Sequence, residues 1–78
     1  MPNIETAIFI KSKKIILEYL KKENSASTEE LIQYVSTQAE ECRDKVPQAL
    51  LALYREGKVI KKISKEKKAF VWFLQEKI

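Results

Sequence analysis

Between Val59 and Leu74 the chain reads VIKKISKEKKAFVWFL, and five of the eight residues from Lys61 to Lys68 are lysine. Ammonium groups at that density suit one chemistry above others: pairing with a polyanion, where release of condensed counterions supplies affinity without reading sequence. Lys61, Lys62, Lys65, Lys67 and Lys68 are therefore candidate phosphate-binding residues. Other chemistries find little to work with. There is no histidine and Cys42 is the single cysteine, which excludes a disulfide, a Cys/His zinc site and histidine-based proton transfer within the chain. Glu40 and Glu41 are neighbours, so on a helix they would diverge by ~100° and would not form a catalytic pair. No phosphate-cradling glycine loop or nucleophile with an adjacent base is visible. The expectation is a protein that is not an enzyme and needs no cofactor or metal, with Cys42 acting as a small semi-buried hydrophobe.

Charge is divided unevenly along the 78 residues. Residues 1–42 carry a net −2 and residues 43–78 a net +6, so the cationic surface belongs to the second half. A chain of this length is one domain with a marginal core. Its longest apolar run, AFVWFL, is far short of the ~20 residues that cross a bilayer, and AIFI near the start lacks a basic lead and a cleavage site. The reading is an intracellular protein, cytoplasmic or in the nucleoid or nucleus, with no membrane insertion.

The candidates must be positioned by regular elements. Ile15, Ile16, Tyr19 and Leu20 have the spacing of one helical face. Ile4, Ala7 and Ile8 continue that stripe upstream, but Lys11 and Ser12 interrupt it, so the first helix begins either at residue 4 or near 12; residues 1–11 are set apart as an extension. Ser27 and Glu30 have capping-box spacing and start a second helix that buries Leu31, Tyr34, Val35 and Ala39. Asp44 can cap a third helix with Pro47 in its first turn. Val46, Ala49, Leu50 and Leu53 form that helix's inward stripe, and Gly57, the only glycine, stops it. The three-helix core then spans residues 12–57. Beyond it VIKKI and AFVWFL read as two strands of a hairpin over residues 58–74.

Three helices followed by a hairpin, with L..L..EGKV closing the third helix, resemble the winged-helix family. The fold class so implied is α+β, mainly α: a winged helix-turn-helix with a C-terminal hairpin as the wing. In DNA-binding members the third helix enters the major groove and the wing touches the backbone. Carried onto this chain, the resemblance puts Lys45, Gln48, Leu51, Ala52 and Arg55 on the outer face of the third helix, with Gln48 able to pair with adenine, and the five hairpin lysines on phosphates. Its implied partner is double-stranded DNA, and its implied role a small transcription regulator or chromatin-associated factor. The specialised Z-form nucleic-acid-binding branch is not met: Pro47, Leu51, Ala69 and Phe70 replace its required residues and only Trp72 agrees.

Two readings compete with that one. Glu40, Glu41 and Asp44 crowd the start of the third helix and would repel phosphate, and a lysine-rich turn can serve only to keep a strand edge from pairing with other chains. The hydrophobic strand raises a separate matter. Ala69, Val71 and Phe73 face one way and Phe70, Trp72 and Leu74 the other, so one set needs a cover. The AIFI segment folded across the sheet, a second copy of the chain or a protein partner could supply it. In the interaction reading Leu51, Phe70, Trp72 and Leu74 are the anchors, as aromatic residues often are at interfaces.

Overall fold

The computed structural model describes residues 4–66 and 68–75. The elements run α1 (Ile4–Glu23), β1 (Ser25–Ser27), α2 (Thr28–Gln38), a 3-10 helix (Glu40–Lys45), α3 (Val46–Arg55), β2 (Val59–Ser64) and β3 (Ala69–Leu74). The strands form one antiparallel sheet in the order β1-β3-β2.

Of its two candidate starts, α1 takes the earlier, so residues 4–11 open the first helix and are not a separate extension. Ser12, which interrupts the apolar stripe, is nonetheless fully buried. Its hydroxyl donates to the Ile8 carbonyl at 2.8 Å, one turn back, and lies 3.5 Å from the Cys42 carbonyl. A small polar residue thus sits inside the helix because its own turn accepts its proton. The Cys42 thiol, also fully buried, lies 3.7 Å from the same Ile8 carbonyl. These contacts seat the AIFI segment against the 3-10 helix, with Ile8 and Phe9 packed on the core. The expectation that AIFI covers the sheet is corrected: Ile8 and Phe9 pack on the helical core, and Lys14, Leu17, Glu18 and Lys21 of α1 line a groove with Leu74 at the end of β3.

Asn24 closes α1 in the left-handed region, at φ 72°, with its N–H donating to Leu20; asparagine tolerates that conformation better than most residues. The next three residues, which read as a simple break, pair with β3 as Ser25↔Phe73, Ala26↔Trp72 and Ser27↔Val71. Ser27 serves twice, as the last residue of β1 and as the N-cap of α2. Its hydroxyl accepts from the Glu30 N–H, and its own N–H donates to the Glu30 carboxylate, each at 3.1 Å.

The core follows the three stripes: Ile16 and Leu20 of α1, Leu31 and Val35 of α2, and Val46, Ala49, Leu50 and Leu53 of α3 are buried together with Val59 and Trp72. Asp44 does not cap α3. The residue at the cap is Lys45, which makes no side-chain capping bond, and Asp44 lies within the 3-10 helix that leads in. Pro47 occupies the first turn of α3, where its missing N–H costs no hydrogen bond.

Candidate functional site

The third helix buries one face so completely that the composition of the other is decided by what remains. Val46, Ala49, Leu50 and Leu53 point inward, leaving Pro47, Gln48, Leu51, Tyr54 and Arg55 exposed, with Lys45 and Ala52 half-buried. The helix stops at Gly57, at φ 75°. Here the Lys58 N–H donates back to the Leu53 carbonyl at 2.9 Å and the Gly57 N–H to the Tyr54 carbonyl at 3.1 Å, the pair of hydrogen bonds that satisfies a helix's last carbonyls. This reversal sends β2 back alongside α3.

In the β2–β3 ribbon, directly opposed residues share a face. Val59 with Leu74, Lys61 with Trp72 and Ile63 with Phe70 form the inner face, toward the helices; Ile60 with Phe73, Lys62 with Val71 and Ser64 with Ala69 form the outer one. Trp72 is 4% exposed and its indole N–H donates to the Thr28 hydroxyl at 2.7 Å, which fastens the ribbon to the start of α2. The Tyr54 ring meets Trp72 edge-on, at 6.4 Å between centres. Beyond Trp72 the ribbon outruns the helical layer, so Phe70 is 45% exposed and Ile63 72%.

This register separates the hairpin lysines. Lys61 lies over the inner face, its ammonium 4.7 Å from the Phe70 ring centre, 5.4 Å from Tyr54 and 5.8 Å from Trp72. A cation held by three rings is a positioned one, and Tyr54 belongs to α3, so Lys61 joins ribbon to helix. Lys62 points the other way, 5.3 Å from the Phe73 ring centre. Lys65 and Lys68 are exposed at the tip, Lys68 in the left-handed region; Lys67 lies outside the described residues. Thus Lys61 is brought to the exposed face of α3 that carries Tyr54, Lys62 is turned to the opposite side of the ribbon, and Lys65 and Lys68 stand exposed at its tip.

The carboxylates are partly disarmed. Glu41 accepts a hydrogen bond from Lys11 at 3.2 Å, and its carboxyl is held below the usual range first by a backbone hydrogen bond within Glu41 and then by that lysine. Glu56 accepts from Lys13 at 2.6 Å and lies 3.8 Å from Lys58; the Lys13 hydrogen bond is the main cause of its lowered pKa. Glu40 and Asp44 are exposed near the start of α3. Among the described residues no cluster of three histidine, cysteine, aspartate or glutamate side chains is placed to hold a metal ion, and no helix is long and apolar enough to cross a membrane.

No protein-family model and no curated protein matches the chain. Among solved structures it is similar to one described as giving structural insights into the DNA recognition and protein interaction domains of HOP2 and its homologous DNA pairing properties. The two share 26% identity at a TM-score of 0.69, over 81% of this chain and 97% of that one. The chain is a winged helix. Its wing is the β2–β3 ribbon, and β1 adds the third strand.

Within the winged helix two residues of the site were not evident from sequence. Tyr54 is 46% exposed beside Leu51, three residues back and 47% exposed; the i, i+3 relation to Leu51 was the available signal. Thr28 carried none, because its partnership with Trp72 spans 44 residues. One proposed interaction anchor is corrected: Trp72 is part of the core and cannot dock a partner without unfolding the wing. Leu74 is half-buried against that core, whereas Leu51 and Phe70 are exposed.

Proposed function

We propose that this winged helix binds DNA, with α3 and the inner face of the wing engaging a duplex together. Gln48 is directed to base edges, where a carboxamide can satisfy adenine's donor and acceptor. Lys45, Arg55, Lys61, Lys65 and Lys68 are directed to phosphates, which fix position without reading sequence. The observation that carries this reading is the likeness to a structure concerned with DNA recognition, over nearly the whole of that chain. The fastening of Lys61 against Tyr54 supports it, because it makes helix and wing one surface.

Of the two finer roles, transcription regulator and chromatin-associated factor, the second is favoured by the neighbour's description in terms of homologous DNA pairing. The corresponding compartment is the nucleus or nucleoid. A second reading, docking to a protein or to another copy of the chain, is favoured by the exposure of Leu51 and Phe70.

Titration of a labelled duplex at several salt concentrations tests the first reading. Each phosphate contact contributes about −0.9 to the slope of log affinity against log salt, so a steep negative slope is expected. A flat slope, or no binding at low salt while light scattering shows a dimer, would favour the docking reading instead.

A further inference from the structure

Beside the polar Gln48 and Arg55, α3 and the wing expose an apolar strip that reading base-pair edges does not use. Four large apolar side chains are exposed on it: Leu51 and Tyr54 on α3, and Ile63 and Phe70 paired across the wing. The Lys61 ammonium lies against both the Tyr54 and Phe70 rings, so the two rings flank one cation at the centre of the strip.

A stacked duplex presents phosphates and hydrated groove edges, which would lose water without compensation against two aromatic rings. The π-face of an unstacked base has no such cost, and it can stack on either ring or meet the ammonium between them in a cation–π contact. The Trp72 hydrogen bond to Thr28 and the edge-on Tyr54 contact hold this strip in place before any ligand arrives, so little ordering is needed on binding.

We infer that the α3–wing strip is a base-stacking platform, and that the DNA it prefers has unpaired or locally unstacked bases beside a duplex. Phe70 and Tyr54 take the bases, Ile63 at the wing end acts as an apolar wedge, and Lys61 neutralises the adjoining backbone. This deepens the DNA-binding reading and rests on it.

The test compares a labelled duplex with the same duplex carrying a central run of non-complementary bases, at one fixed ionic strength, using the full chain. The duplex with the open run is expected to bind more tightly, by about tenfold for one well-stacked base. Phe70→Leu keeps the strand and its apolar bulk but removes the ring, so it is expected to collapse that preference. A fluorescent adenine analogue placed in the open run should be quenched by the wild-type chain and not by the variant. Equal affinity for the two DNAs, or a preference and quenching that persist in Phe70→Leu, overturns the platform while leaving DNA binding intact. Failure to bind either DNA overturns both.

Discussion

Lys61 and Lys62 are adjacent, identical in charge and predicted to behave differently. Their α-carbons are ~3.8 Å apart, well inside the ~8–10 Å over which salt screens a charge near physiological ionic strength. If the wing acted only as a diffuse positive field, Lys61→Gln and Lys62→Gln would weaken DNA binding equally. The register assigns them to opposite faces, Lys61 to the surface shared with Tyr54 and Lys62 to the side carrying Phe73. Loss of Lys61 should therefore remove a positioned phosphate contact, reducing the salt slope by about 0.9. A charge-assisted hydrogen bond is worth roughly 1.5–3 kcal/mol, so affinity should fall about tenfold or more. Lys62→Gln should change the slope by less than half as much. Fluorescence anisotropy across a salt series measures both quantities. Each variant also gives up ring contacts worth about 0.5–1 kcal/mol at an exposed site, so circular dichroism must show both folded at the assay temperature. Equal slopes, or a larger effect at Lys62, would refute the assignment of the inner face as the binding face.

Gly57→Ala is expected to cost about 1–2 kcal/mol in urea unfolding, since nothing crowds the added methyl and only the left-handed backbone opposes it; Gly57→Asn should cost less. Thr28→Val keeps shape but leaves the Trp72 indole N–H, nearly buried, without its acceptor. Destabilisation of about 1–3 kcal/mol is expected, followed by the fluorescence of this single tryptophan. Glu56 has a folded pKa lowered chiefly by Lys13. Its contribution is therefore present above the ordinary carboxylate range and is lost as pH falls through the depressed folded value. The stability gap between wild type and Glu56→Gln should be visible near neutrality and close in acid, as read from urea midpoints across pH.

Local chemistry made several features legible without coordinates. The stripe Val46, Ala49, Leu50, Leu53 is a property of 3.6-residue periodicity, and all four are buried. The capping box at Ser27 and Glu30 and the stop at Gly57 depend on groups within a few residues of one another, and each forms as the spacing implies. Asp44 failed as a cap because it lies inside a 3-10 helix that runs directly into α3 and leaves Lys45 at the cap. Ser25–Ser27 was illegible as a strand because three residues carry no period, and their partner lies more than forty residues ahead.

By itself the sequence determined where α2 starts and α3 stops, which helical faces are apolar, and that positive charge concentrates from Arg43 onward, because those are consequences of neighbours along the chain. Only the tertiary structure decided that Lys61 and Lys62 part company, that Trp72 belongs to the core, and that Tyr54 and Phe70 meet around one ammonium. Those outcomes depend on strand register and on how far the ribbon reaches past α3, and both are set by contacts between residues distant in sequence.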